Sequence, residues 1–357
     1  MKLLKNIMLS TLILIATIVI LGSSIYNYKI SPVSKNSTEV EVVIKTGLSI
    51  KQIGKLLEEK KLVHDANFFY LYAKLFEVKG IKAGSYKLSP NMGVKKIIKV
   101  LEKGSSYNPD SVSLVFKEGI NMRGVAKVIA TNTNITEEEV LAKSQDMTYL
   151  DKLIKEYWFL TEVVKQKGIY YPLEGYLFPD TYQFSRESVK VEDIFAKMLH
   201  QMDIVLTPYK SLVETSNKSI HDYLTMASIV ELEGVGNNTR SKIAGVFYNR
   251  LGKKMNLGSD VTTYYALKVD MADRDLTSAE FNTHNPYNTR VGLEGKLPIG
   301  PISLPSKESI KASFEPDKNN YLYFVADKNK NVFFTKTYAE HKMKVDEIKA
   351  KGDWIVW

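Results

Sequence analysis

Nineteen consecutive uncharged residues, Ile7 to Ile25, limit what the start of this chain can become. The run is rich in Ile and Leu and is long enough to cross the hydrocarbon of a bilayer as a helix. It also exceeds the usual apolar core of a secretory signal peptide. Lys2 and Lys5 precede it, so the positive-inside rule leaves residues after about Tyr26 outside the cytoplasm. Gly22, Ser23 and Ser24 are small residues near a cleavage position, which makes a removed signal peptide the competing reading. The expectation is a cytoplasmic tail over 1–6, a retained transmembrane anchor over 7–26, and a polar linker containing Pro32 over 27–37.

The whole chain has 357 residues, enough for two domains. Cysteine is absent, which excludes disulfides, thiolate catalysis and Cys-based metal sites. His64, His200, His221, His284 and His341 are scattered, with no pair at metal-ligand spacing, so neither a metal nor a cofactor is expected. The formal net charge is +9, and residues 1–30 contribute three Lys and no acid to it. Outside a membrane, such a surface favours anionic headgroups or anionic wall polymers over nucleic acid. A solvated Lys-rich surface without a specific partner accounts for the charge more simply than either.

Past the linker, Val40 to Lys45 reads as a strand and Thr46-Gly47 as a turn. Ser49 can cap a helix carrying Ile50, Ile53, Leu56 and Leu57 at helical spacing. Further helices are expected over about Asp65–Phe76 and Val94–Leu101, with a returning strand at Ala83–Leu88 between them. The unit then recurs 72 residues later: Val42–Ile50 resembles Leu114–Met122, and an amphipathic helix follows each copy. Such strand–Gly turn–helix units suit a module that binds carbohydrate, or are simply a recurring supersecondary unit. Residues 136–168 read as helical and charged. Helices follow at about 190–205 and 219–233, then one capped by Asn238 or Thr239 and ending at Gly252. Tyr321–Val325 and Val332–Thr335 flank a polar turn as a β-hairpin, and a last helix spans about 337–350.

The residue pattern that points to chemistry is Leu224–Gly234, which places Glu231 at the end of an apolar helix. Burial and a helix C-terminus both oppose ionisation, so this carboxyl is expected to stay protonated near neutral pH. A neutral carboxyl that can give up a proton is what glycosidic bond cleavage needs. Glu233 lies two positions on and must point to another face, expected to be solvent. Taken alone, Glu231 reads first as a buried carboxylate paired with an Arg such as Arg240 or Arg250. Around it, Tyr248-Asn249-Arg250, Asp260, Asn285–Thr289 and Glu340-His341 offer aromatic faces and polar groups of the kind a sugar site uses. The Pro/Gly segment Leu297–Pro305 is expected to be stiff and exposed.

Taken in order, these motifs resemble the YceG-like endolytic murein transglycosylases. They are Ala83–Tyr86, Glu174–Tyr182, Ala227–Glu231, Ala244–Leu251, Ser259-Asp260, Tyr287–Thr289, Leu297–Ile302 and Tyr321–Ala326, and they cover nearly the whole chain. The resemblance implies an α+β fold: the N-terminal transmembrane helix, a LysM-like α/β module over 38–104, a second strand–turn–helix unit with a helical connector over 105–169, and a mixed α+β catalytic domain over 170–357. It implies cleavage of the MurNAc-β-1,4-GlcNAc bond of peptidoglycan glycan strands with formation of 1,6-anhydroMurNAc ends. Glu231 falls on the family's catalytic acid; Tyr248, Asn249, Asp260, Tyr287, Asn288 and Thr289 fall on the expected substrate contacts. The cytoplasmic membrane and peptidoglycan synthases are the partners it implies. Three departures stand out: Gly258 replaces a Gln, Val261 a Pro, and Leu232 stands where a Lys is usual between the two acids. Two rivals remain open here, a muramidase-type hydrolase using Glu231 with Asp260 and an inactive wall-binding scaffold.

Overall fold

The computed structural model describes residues 2–78, 80–104, 110–234 and 239–354. The chain divides into two compact units, Met1–Ser111 and Val112–Trp357.

The first unit opens with α1 (Lys2–Ile30), of which Met8–Ile30 is apolar enough to cross a membrane. The helix therefore continues through residues 27–30, which the sequence reading assigned to the linker. Next come β1 (Val40–Ile44), α2 (Ile50–Glu59), α3 (Ala66–Leu75), β2 (Gly84–Leu88) and α4 (Val94–Lys103). The two strands pair antiparallel, with Val42 opposite Tyr86. Alternation drives their inner faces together: Val42, Ile44, Tyr86 and Leu88 are all buried. Ser49 closes a capping box with Gln52 at the start of α2, as its position predicts. Ile53 and Leu57 from α2, Phe69 from α3, and Ile97 and Leu101 from α4 complete a core separate from those of the second unit.

The second unit runs β3 (Ser111–Val115), α5 (Met122–Asn132), α6 (Glu137–Ser144), α7 (Met147–Glu156), a short 3-10 turn, β4 (Thr181–Ser185), α8 (Val191–Leu206), α9 (Lys210–Thr215) and α10 (Ile220–Glu233). It continues with α11 (Arg240–Gly252), α12 (Asp260–Leu267), α13 (Ser278–Phe281), α14 (Lys307–Phe314), β5 (Tyr323–Ala326), β6 (Val332–Thr335) and α15 (Tyr338–Ala350). β3 pairs with β4, and β5 with β6 as the expected hairpin. Thr239 stands at the N-cap of α11, while Asn238, the other candidate, lies outside the described residues. The core shows no break at the expected 169/170 division. Leu114, Phe116, Val125 and Leu150 share one cluster with Leu173, Phe195, Leu224 and Phe314.

α10 is the axis of this unit. Leu224 and Ala227 belong to that first cluster, whereas Met226, Ile229 and Val230 belong to a second, with Phe247, Val261 and Ile302. A helix packed on both sides has no solvent face, which is why almost every residue from Ile220 to Glu231 is buried. A Ser219–Asp222 capping box fixes its start.

Candidate active site

Leu297–Pro305 was expected to be exposed, but most of it is buried along α10. Its backbone polar groups find partners there, which makes burial tolerable. Ile302 N–H donates to Ser228 Oγ at 3.0 Å, and Ser303 Oγ donates to Ser228 O at 3.0 Å. His221 Nε2–H donates to Ile299 O at 2.8 Å, leaving Nδ1 to accept from the Tyr176 hydroxyl at 2.7 Å. Burial holds this imidazole neutral by lowering its pKa, against the opposing pull of Ile299 O and Asp222. The segment ends at Ser306, the N-cap of α14, and so delivers the start of α14 to the end of α10.

Glu231 lies at that meeting point. Its Oε2 accepts from Ser306 N–H at 2.8 Å and from the Ser306 hydroxyl; its Oε1 accepts from Arg240 Nη2 at 3.0 Å. Arg240 Nε in turn donates to Ser309 Oγ at 2.9 Å. Burial alone would raise the carboxyl's pKa. The hydroxyls of Ser306 and Ser309, the Ser306 N–H and the Arg240 charge outweigh it, so the group lies below the usual carboxylate range. The N-terminal dipole of α14 acts in the same direction. The expectation of a neutral Glu231 is thus corrected: its surroundings are polar, and the pairing with Arg240 is the one formed.

Glu233 reverses its expectation as well. It does not face open solvent. Its Oε1 accepts from Ser259 Oγ at 2.6 Å, and its carboxyl is pushed up to about 7. Burial is the largest cause; the Ser259 hydroxyl lowers the value, Asp260 raises it, and Arg250 lowers it. The residue as a whole is half-buried, while its carboxyl is withdrawn from water. Ser259 is itself held in place. Its N–H donates to Thr289 Oγ1 at 3.1 Å, and its carbonyl accepts from Thr262 Oγ1 at 2.6 Å. Arg250 is anchored by bonds to Leu322 O at 2.6 Å and to Leu257 O, and it lies over the Tyr323 ring at 5.0 Å.

The remaining candidates divide sharply. Asp260 is exposed beside Glu233 and ion-paired with Arg290. Tyr287, Asn288 and Thr289 are each 0% exposed, and a sugar cannot reach them. The Tyr287 hydroxyl accepts from Tyr170 N–H at 3.1 Å, and Asn288 Oδ1 accepts from Thr263 Oγ1 at 2.8 Å. Thr289 supports Ser259. Tyr248 donates to Ser313 O at 2.8 Å, while Asn249 Nδ2 donates to Asn319 O and Tyr321 O, both at 3.0 Å. Tyr287, Asn288 and Thr289 brace the walls, while Tyr248 and Asn249 are half-buried and tied to neighbouring carbonyls.

A third carboxyl, Glu174, is also pushed up to about 7, mainly by burial. Its Oε2 accepts from Met122 N–H and the Tyr265 hydroxyl, each at 3.0 Å, yet the residue is only 1% exposed. A raised pKa is therefore not sufficient to single out a residue: Glu233 and Glu174 share it, and Glu233 is the less buried residue of the two. Sequence reasoning missed Ser259 and Ser306 as partners. Ser306 carries a signal, since it precedes a helical pattern by one residue in cap position.

The YceG-like family matches residues 42–347. An endolytic murein transglycosylase of Bacillus subtilis is 37% identical over 340 residues, covering 94% of this chain and 93% of that protein. One from Streptococcus pneumoniae strain D39 is 34% identical over 361 residues, covering 96% of this chain and 65% of its own length. The crystal structure of a yceG-like protein of Listeria monocytogenes superposes with a TM-score of 0.62 at 36% identity, covering 87% of this chain and 100% of the other. With the match extending over both units and the Bacillus subtilis relative aligned over 93% of its length, the chain belongs to the YceG-like family.

Proposed function

We propose that this chain is an endolytic murein transglycosylase, anchored in the cytoplasmic membrane by α1 with the rest outside, and that its proton donor is Glu233. The names of its relatives support the reaction class. The observation that carries the residue assignment is the Glu233 carboxyl, bonded to Ser259 at 2.6 Å and pushed up to about 7 by burial, in a residue that is half-buried as a whole. A group with a pKa near ambient pH can both give and take a proton. In the reaction proposed, Glu233 protonates the oxygen leaving C1 of MurNAc. The resulting carboxylate then accepts the proton of the MurNAc C6 hydroxyl, which attacks C1 of its own ring and closes the 1,6-anhydro bridge. The nucleophile is tethered to the reacting centre, so one carboxyl suffices. Asp260 is exposed and raises the Glu233 pKa, which keeps the acid form available.

Glu231, given the acid role by family resemblance, holds Arg240 and the start of α14 in this reading. The alternative keeps Glu231 as the acid; it is favoured by its burial, which would raise its pKa if Ser306 and Arg240 withdrew on substrate binding. Residues 38–104 we take as a LysM-like module that binds glycan, supported by the strand–helix–helix–strand order of β1, α2, α3 and β2. Resemblance adds peptidoglycan synthases as partners, so that cutting would limit nascent strand length.

The test is mass spectrometry of uncrosslinked glycan strands incubated with detergent-solubilised full-length protein, comparing wild type, Glu231→Gln and Glu233→Gln. New 1,6-anhydro ends from the wild type and none from Glu233→Gln is the expected result. New reducing ends would make the protein a hydrolase. A folded Glu233→Gln protein that still forms anhydro ends, beside an inert Glu231→Gln, would return the acid role to Glu231. Strand binding without any cleavage would leave the scaffold reading.

A further inference from the structure

The chain's excess positive charge lies entirely in the first unit: residues 1–111 hold 17 lysines against eight acidic residues, and residues 112–357 hold 32 basic against 32 acidic. That unit is also continuous with α1. Tyr26 and Ile30, at the end of the apolar segment, pack against its core. Ile30 O lies 2.9 Å from where a Cβ on Gly93 would stand, so only glycine permits this approach.

α3 runs back along α1. Asp65, its N-cap, pairs with Lys29 at 3.4 Å, and Lys29 Nζ stands 5.9 Å from the centre of the Phe68 ring. The Tyr28 and His64 rings are 4.6 Å apart. Further along α3, Tyr72 has its hydroxyl pKa raised by burial and then by the nearby Tyr26 phenol. Numbers rise along α3 as they fall along α1. The C-terminal end of α3, roughly 15 Å from Asp65 along its own axis, therefore points toward the apolar turns of α1. At that end Leu71, Leu75 and Phe76 are 42%, 62% and 61% exposed, with Tyr70 and Lys74 exposed beside them. Exposed Leu and Phe flanked by Tyr and Lys, next to a membrane-spanning segment, have the composition of an interfacial contact.

We propose that the C-terminal end of α3 is a second membrane contact: Leu71, Leu75 and Phe76 enter the outer leaflet beside α1, and Lys74 and Lys29 meet anionic headgroups. This rests on reading α1 as the anchor. The contact fixes the height and tilt of the first unit on the bilayer, where α1 alone would act as a tether. The excess lysines strengthen the seating on anionic lipid, and salt weakens that part.

The absence of native cysteine allows clean single labels on the full-length chain. Ile15→Cys, Leu75→Cys and Glu59→Cys would each carry an environment-sensitive fluorophore in vesicles of phosphatidylcholine and phosphatidylglycerol. Retained anhydro-end formation serves as the check on folding. The expected result is that the label at 75 is quenched by lipid nitroxides near the headgroup and resists an aqueous reductant. The label at 15 should be quenched by nitroxides at the bilayer centre, and the label at 59 bleached by the reductant alone. A label at 75 that behaves like the one at 59, while 15 remains in lipid, overturns the second contact and leaves the anchor. A label at 75 shielded from the reductant but unquenched by lipid points to a protein or glycan occupant, and also overturns it. If the label at 15 is itself in water, the anchor reading fails first.

Discussion

Glu231 and Glu233 are two residues apart on one helix, yet their surroundings push them in opposite directions. Glu231 meets two donors from Ser306 and one from Arg240, and it lies below the ordinary carboxylate range. Glu233 meets one hydroxyl and a like charge, and it rises to about 7. Both are removed from bulk water. Burial raises both; at Glu231 the greater number of donors facing the carboxylate reverses the shift, and at Glu233 it does not. Their linkage to stability is opposite as well. The Glu231 pKa is depressed, so its contribution is present above the ordinary value of 4.5 and is lost as pH falls through its lower folded value. The Glu233 pKa is raised, so its contribution is fully present below 4.5 and is lost as pH rises through about 7.

The strongest way to break this contrast is to neutralise each group in turn. Glu233→Gln should reduce anhydro-end formation by about 10²–10⁴-fold, the usual worth of a positioned proton donor, with little change in melting temperature. Glu231→Gln should instead lower the melting temperature, because an amide cannot accept from Arg240 and both Ser306 donors as a carboxylate does. Equal losses of activity with equal stability would dissolve the distinction. Arg240→Met comes next. It leaves Glu231 buried with no cation, an uncompensated charge that costs about 3–5 kcal/mol, read as a lower urea midpoint. Combined with Glu231→Gln, much of that loss should return; a strictly additive double variant would show that the two side chains do not act as a pair.

How far the sequence could be read follows from the same contrast. The small first unit was legible because its signals are local: Ser49 caps α2 three residues before Gln52, and Val42 and Ile44 alternate toward the core. The β5–β6 hairpin and α15 were legible for the same reason. That Glu231 and Glu233 occupy different faces also follows from helical geometry. Which face becomes the site does not, because the deciding partners come from far along the chain: Ser259 lies 26 residues beyond Glu233, and Ser306 lies 75 beyond Glu231. Polarity misled in the other direction at Tyr287, Asn288 and Thr289. Hydroxyls and amides that brace a buried loop have the same composition as those that bind a sugar, and only burial separates them. Leu297–Pro305 misled likewise, since Pro and Gly mark irregular backbone without saying whether Ser228 and His221 will satisfy it.

Smaller effects sharpen the assignment of Glu233. Proton donation requires its acid form, so kcat/KM should fall as pH rises through about 7. The Ser259 hydroxyl lowers this pKa, so Ser259→Ala should move the alkaline limb to higher pH. Asp260 raises it, so Asp260→Asn should move the limb to lower pH. Opposite displacements in two conservative variants are hard to obtain from misfolding. A limb that ignores both would remove Glu233 from the rate equation.

The smallest effect is expected at Gly258, where the family resemblance noted in the sequence leads one to expect Gln. Its φ is +63°, a region that costs a residue with a side chain about 1–2 kcal/mol. A Cβ there would also stand 3.1 Å from Arg250 Nη1, close enough that the guanidinium must shift. Arg250 lowers the Glu233 pKa and is tied to Leu257 O and Leu322 O. Gly258→Gln should therefore lower the melting temperature slightly while leaving Glu231 untouched. If the new side chain displaces Arg250, the alkaline limb should rise as it does in Ser259→Ala. If the limb stays fixed and turnover increases, the added amide is contacting the glycan, and Gly258 marks a substrate contact that this chain has given up.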